Sequence, residues 1–428
     1  MRLHIRFLCI PVLCAILFAP SSWAAGLWLY EAGTPDLGTA SAGRAAMAMD
    51  ASTAGMNPAG MTRLDRSQML AAVQGMYIDA QFDTDLSGFG GGDGGNAGGF
   101  MPSGSLHYVH RTTDNLRLGI TVGSYLGLGV DYGDDWAGRY YATDVELLTY
   151  GVNPGAGYRV NNWLSVGAGF SVLYATLDQK AAINNGAVPG QAGLADGKLE
   201  LVADDMGYGF NLGILVSPGD STRFGLTYRS EVDLEFEDTA SLKNIGPVLQ
   251  GLLNASGLTG SKVDIDMTVP QALMLSAYHQ LTDRWAVMGN IGWQDWSEFG
   301  KQDLTLRSTT STTFTQDLGY DDTWHFALGA QYRFAEQWLW SVGAAYDTSP
   351  VDVADKRTPD LPLDRQIRIG TGIQYDWNED VTVGVAYEYL DLGEAEIDQS
   401  GGPLQGPLKG EYDPNAIHFF AFNLSWKF

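Results

Sequence analysis

Cysteine is absent beyond residue 14: Cys9 and Cys14 are the only two in the chain, and both fall in its first 24 residues. If that stretch is removed on export, no disulfide and no thiolate metal site is left to hold the protein together. Long apolar runs are also missing after residue 24, which excludes a membrane-spanning helix, since crossing a bilayer as a helix takes about 20 apolar residues. Basic residues are scarce, 25 Lys and Arg against 50 Asp and Glu, for a net charge of −25. Such a chain repels polyphosphate, so nucleic acid is excluded as a partner. Histidine is rare, with six residues, and neither a nucleotide-binding loop nor zinc-ligand spacing occurs. No cofactor and no bound metal are expected.

The first residues carry Arg2 and Arg6, then an apolar run from Phe7 to Pro20, then the small-residue pattern Ser22-Trp23-Ala24. This order predicts a secretory signal over residues 1–24 with cleavage before Ala25, because the run is too short to serve as an anchor. It would remove two basic residues and no acidic ones.

Most of what remains is built on alternation. Phe420, Phe422, Leu424, Trp426 and Phe428 share one face of an extended strand, with Ala421, Asn423, Ser425 and Lys427 on the other. The same period of two runs through Val381 to Tyr389, Ile367 to Trp377, Trp324 to Phe334 and Leu164 to Tyr174. One face suits lipid and the other a polar interior, as in transmembrane barrels. Trp285, Trp293, Trp338, Trp340 and Trp377 gather near strand ends, where indole rings favour the membrane interface. Short polar turns at 113–115, 161–162, 218–220, 282–284, 335–337 and 378–380 alternate with long connections at 84–102, 128–143, 180–197, 238–262, 299–320, 348–363 and 393–414. That pattern predicts an all-β fold: a 14-stranded antiparallel transmembrane β-barrel over residues 65–428, with its short turns in the periplasm. The period is weak over Leu273 to Leu281, where both faces carry apolar residues.

Residues 25–64 do not alternate. They are dense in small side chains and include Asn57-Pro58-Ala59. About 40 residues is long for a linker, and small residues pack closely in confined space, which predicts an N-terminal hatch folded as a plug into the lumen. The Ala25-Gly26 start, Gly38, Gly43, Asp50-Ala51 and above all Asn57-Pro58-Ala59 make this segment similar to the hatch of the outer-membrane long-chain fatty acid and toluene transporter family (FadL/TodX type). The resemblance implies an outer-membrane protein of a Gram-negative bacterium and not an enzyme. It implies capture of an apolar cargo at outer loops, a hatch-gated pocket, and lateral release beside a kinked third strand. Lateral release fits physically, because moving an acyl chain directly into lipid avoids returning about 0.8 kcal/mol per methylene to water.

On that reading Asn57, Pro58 and Ala59 gate the hatch, and Gly127 and Gly129, within the third strand at Leu116 to Val130, mark the lateral kink. Val248, Leu249, Leu252 and Leu253 share one face of a short loop helix and form the capture surface, next to Ala181-Ala182-Ile183. Leu27, Trp28 and Leu29 are candidates for the pocket lining. Arg229, Arg333 and Arg368 are candidates to hold a cargo carboxylate, or else to pair with interior acids such as Asp376 or Glu388. The partners expected are the hydrophobic small molecule, outer-membrane lipid and lipopolysaccharide, and the barrel-assembly machinery, with the protein a monomer. Fatty acid and aromatic hydrocarbon remain alternatives as cargo, and an aqueous porin or an outer-membrane hydrolase remain alternatives as function.

Overall fold

A computed structural model of the chain describes residues 30–124, 126–256, 260–307 and 311–428. The proposed signal and Leu27, Trp28 and Leu29 therefore lie outside the described residues.

Alternation becomes wall. Fourteen antiparallel strands close on themselves: β1 (Gln68–Ser87), β2 (Gly99–Arg111), β3 in two pieces (Leu116–Gly123 and Gly127–Asp131), β4 (Asp144–Arg159), β5 (Leu164–Ile183), β6 (Gly197–Val216), β7 (Thr222–Arg229), β8 (Ala272–Gln280), β9 (Trp285–Gln294), β10 (Thr323–Ala335), β11 (Trp338–Asp347), β12 (Gln366–Asp376), β13 (Val381–Asp391) and β14 (Leu408–Lys427). The first and last pair from Gln68↔Lys427 to Ser87↔Leu408, so the sheet closes on itself into a barrel. Around the outside, Trp324, Phe326 and Leu328 are 45%, 45% and 76% exposed, while His325 and Ala327 between them are buried. An apolar belt of this kind is stable only against lipid.

The ambiguous strand resolves with Leu273 and Leu275 outward and Ser276 and Tyr278 inward. Its register is set by its neighbours on both sides, because its own two faces are both apolar. Side-chain caps close the short turns. Asn161 Oδ1 accepts from the backbone N–H groups of Trp163 and Leu164 at 2.9 Å each, and Asn378 Oδ1 does the same for Asp380 and Val381 at 2.8 Å.

Two of the long connections are more ordered than their composition suggests. Val232–Thr239, Lys262–Val269, Lys301–Arg307 and Ser311–Asp317 form a separate four-stranded antiparallel sheet beyond the long-loop end. Leu234, Phe236, Val263, Ile265 and Met267 are buried beneath it; Asp233, Glu235, Glu237 and Asp266 between them are exposed, while Asp264 is buried and paired with Arg307. This corrects the irregular assignment of 299–320 and extends the connection placed at 238–262, because its flanks Val232–Thr239 and Lys262–Val269 pair outside the barrel wall. The signal was there, in the alternation Val263, Ile265, Met267 and Val269, but long charged loops hid it.

Residues 30–64 lie across the bore. They run through 3-10 turns at Pro35–Thr39 and Pro58–Arg63 and a single helical turn at Thr53–Met56. Their hydrogen-bond partners come from all round the wall. Ser105 on β2 donates to Ala32 O (2.7 Å), Ser276 on β8 accepts from Ala45 N–H (3.1 Å), Asn290 on β9 bridges Gly43 N–H and Ser41 O, and Asn423 on β14 donates to Gly33 O. Room for the segment comes from inward-facing glycines. A Cβ at Gly225 or Gly343 would stand 1.9 Å from the carbonyl oxygen of Ala45 or Thr39 respectively, an impossible approach.

Candidate functional site

Asn57 is fully buried where the plug meets the wall. Its side-chain amide donates to Ala45 O at 2.6 Å and to Ile214 O on β6 at 3.1 Å, while its Oδ1 accepts from Ala59 N–H at 3.1 Å. One side chain thus ties two parts of the plug to each other and to the barrel. Pro58 follows as the first residue of the 3-10 turn, where a missing N–H costs nothing. Ala59 is buried against Ala48 and Leu215. The turn packs this tightly because β4 and β5 present glycine to it: a Cβ on Gly157 would fall 2.3 Å from Pro58 O, and one on Gly167 2.4 Å from Ala59 N.

Next to β4, beyond β3, the wall is open. Pairing between β2 and β3 ends at Leu106↔Val122, and the second piece of β3 pairs only with β4, so the outer half of β2 loses its neighbour. The break falls between Gly123 and Gly127. Gly127 opens the second piece, and Gly129 lies inside it. A cavity of about 440 Å³ occupies the gap, lined by Ile78, Phe100, Met101, Val122, Gly127 and Leu148 among others. A second cavity of about 340 Å³, more polar, continues toward the long loops past Gly129, Asp131, Glu146 and Lys180.

Val248, Leu249, Leu252 and Leu253, expected from the sequence to form a capture surface, lie on the helix α1 (Pro247–Ser256). Leu249 and Leu253 are buried, Leu249 beside Ile183, Leu199 and Leu242, whereas Val248 is 43% exposed and Leu252 half-buried. Only part of the apolar face is therefore turned outward. The rest fastens the helix to the end of β5 at Ile183, placed in a loop by the sequence reading but paired here with Gly197, which is what a rigid surface patch needs.

The three candidate arginines separate. Arg333 pairs with Asp376 at 3.1 Å near a short turn. Arg229 donates to Gly55 O at 3.3 Å and lines a small cavity of about 60 Å³ at the plug, with Tyr30, Arg44, Met274 and Trp293. Arg368 is wholly buried and ringed by acids: Glu31 at 2.8 Å, Asp347 in hydrogen-bond contact, and Glu388 at 3.8 Å. Its guanidinium also lies 5.3 Å from the Tyr30 ring centre, and His325 hydrogen-bonds Asp347 at 2.9 Å. Burial pushes the Glu31 carboxyl up, but the Arg368 charge and the hydrogen bonds around it bring it below its ordinary value. The sequence points to Arg368 and Glu388 here, and it gives no sign of Glu31, because its partners are more than 300 residues away.

The chain as a whole is similar to known proteins. A family model described as outer membrane protein transport protein (OMPP1/FadL/TodX) matches residues 15–428. The chain belongs to this family. A long-chain fatty acid transport protein of Escherichia coli O6:H1 is 31% identical over 402 residues, covering 87% of this chain and 88% of that protein. Among solved structures, a FadL homologue of Pseudomonas aeruginosa has a TM-score of 0.85 at 23% identity, covering 94% of this chain and all of the other. The toluene transporter TodX of Pseudomonas putida has a TM-score of 0.64 at 19% identity, covering 87% and 92%. As a member of the OMPP1/FadL/TodX family the protein resides in the outer membrane of a Gram-negative bacterium, and its family is one of transporters.

In this family member the two roles of Asn57 can be separated. Asn57→Ala removes two donors and one acceptor from a dry site, and each buried group left unpaired costs about 1–3 kcal/mol. Asn57→Asp keeps the shape but turns a carboxylate oxygen toward two carbonyls, so it is expected to be the worse of the two. Thermal unfolding in detergent, followed by circular dichroism, should show both midpoints lowered in that order; equal midpoints for both variants and the parent would refute the tie.

Proposed function

We propose that the protein carries hydrophobic small molecules across the outer membrane, long-chain fatty acids first among them. In this reading cargo lands on the exposed part of α1, passes to the plug, and leaves sideways through the gap between β2 and β3 into the bilayer. The observation that carries the proposal is the cavity of about 440 Å³ in the wall, placed where β3 is broken and β2 lacks a partner. An unpaired stretch of strand facing lipid is costly, since nothing in hydrocarbon satisfies its backbone groups. Retaining such a gap is intelligible if molecules pass through it. A relative named for long-chain fatty acid transport supports the choice of cargo.

Within this proposal residues 1–24 are the export signal, 25–64 the hatch and 65–428 the barrel, which is inserted as a monomer by the assembly machinery among lipopolysaccharide. Asn57, Pro58 and Ala59 hold the hatch. Arg229, at the cavity beside the plug, is the candidate contact for a carboxylate head group. Arg368 already has three acids around it, and Arg333 sits at the short-turn end.

Native mass spectrometry of protein purified in mild detergent from cells fed both oleate and toluene tests the cargo. Retained fatty acid is the expected result. Retained aromatic hydrocarbon with no fatty acid would transfer the proposal to aromatic uptake by the same route.

A further inference from the structure

In so acidic a protein an arginine without an acid stands out. Arg44, Arg139, Arg357 and Arg368 are largely buried, and each has an acidic partner, at 2.7, 3.1, 3.5 and 2.8 Å respectively. At the short-turn end of the bore the rule fails. Arg117 on β3, Arg159 on β4 and Arg223 on β7 occupy inward positions of their strands, and Arg63 ends the plug's last 3-10 turn beside them. Among the described residues none of these four forms an ion pair with a carboxylate. They lie close enough to repel one another: Arg63 is opposed by Arg159 and Arg223, and Arg117 by Arg159 and Arg111. The nearby acids are few. Asp114 is engaged by Arg111 at 2.6 Å, and Asp65 and Asp220 act only at longer range.

Some of this charge is absorbed locally. Arg117 donates to Leu64 O (3.0 Å) and Arg159 to Thr62 O, at the carbonyl end of the 3-10 turn, and Arg223 lies 3.8 Å above the Tyr278 ring. The remainder is not. Arg223 is 7% exposed, yet its Nε–H has no partner. A buried guanidinium donor left open among like charges is an expensive arrangement without an anion. Carbonyl oxygens and an aromatic face offset only part of that cost, and guanidinium forks match oxyanions in both shape and charge.

We infer that Arg63, Arg117, Arg159 and Arg223 form a binding site at the short-turn mouth of the bore for an oxyanion head group, phosphate or carboxylate. The site is separate from the wall gap and from Arg229, and it requires no assumption about cargo. Its chemistry fits either of two amphiphiles present at this depth, a phospholipid through its phosphate or a fatty acid through its carboxylate.

The test is calorimetric titration of the full chain, folded in an uncharged detergent at constant ionic strength in chloride, with inorganic phosphate and separately with butanoate. Saturable single-site binding is expected, weakened about tenfold or more by Arg223→Gln, a change of about 1.4 kcal/mol. Arg63→Gln, at an exposed position where folding is not at stake, should weaken it in the same sense. Binding of phosphate alone identifies the phospholipid-type ligand, and binding of butanoate alone the fatty-acid type. Absence of saturable binding by both anions, or affinities unchanged in both variants, overturns the site. Neither probe carries an acyl chain able to occupy the wall cavity, so failure here leaves the transport proposal untouched.

Discussion

Replacing Arg368 by methionine should loosen the plug and raise ion conductance through the barrel, with thermal stability falling by about 3–5 kcal/mol, the usual cost of leaving buried acids without their cation. The arginine is the one positive group among Glu31, Asp347 and Glu388, and Glu31 alone of these belongs to the plug. Without it, Glu31 loses the largest influence that lowers its value while the burial that raises it remains, and the acid is driven to take up a proton or leave. Leaving would pull on the segment from Tyr30 to Gly33, whose other ties are hydrogen bonds from Arg44 and Gln294 to Tyr30, Gln74 to Glu31 O, Ser105 to Ala32 O and Asn423 to Gly33 O. Single-channel recording in planar bilayers gives the conductance, and a double-mutant cycle gives the coupling. Adding Glu31→Gln to Arg368→Met should restore part of the lost stability, since the two groups share one interaction. Conductance and midpoint both equal to the parent's would refute the latch. Acid should act in the same direction. Glu31 has a lowered value in the fold, so the stability it supplies is present above the ordinary carboxylate range and is lost as pH falls through that lowered value.

How far the sequence revealed this molecule depends on the range of the interactions concerned. Strand number, closure and lipid face follow from nearest-neighbour alternation, which is why Trp324 to Leu328 and Phe420 to Phe428 could be oriented directly. Asn57 was legible as a motif, but its hydrogen bonds to Ala45 and Ile214 were not, because they depend on how the plug is seated. Glycine was the signal read least well. Gly225, Gly343 and Gly370 look like gaps in strand patterns, yet each faces the bore where the plug's backbone passes, with Gly370 leaving 2.3 Å to Leu37 O for any added Cβ. The sequence points to Gly127 and Gly129 for the break in β3, whereas the chain parts just before them, after Gly123. Local glycine content suggests where a strand can yield. Only the competing pairings with β2 and β4 decide where it does.

That break supports the second large effect, loss of uptake on filling the gap. Gly127→Phe is the variant to make. Its Cβ would meet nothing closer than Leu147 O at 3.5 Å and Leu148 Cδ2 at 3.9 Å, ordinary contacts, so the backbone need not move to accept a side chain there. The ring would then stand in the cavity between β2 and β3. Gly104, which also lines the gap, is unsuitable, because a Cβ there would strike Ala72 O at 2.7 Å and confuse blockage with misfolding. If cargo leaves sideways, uptake of labelled oleate by cells lacking their own transporter should fall about tenfold or more, equivalent to raising the barrier by about 1.4 kcal/mol. Phenylalanine at Gly219, in a short turn with open space around it, should leave uptake as it was. Heat-dependent gel mobility reports whether each barrel has folded. A folded Gly127→Phe protein that transports at the parent's rate would mean that cargo does not use the wall. The remaining path would run down the bore past the plug, and uptake should then respond to Arg368→Met instead.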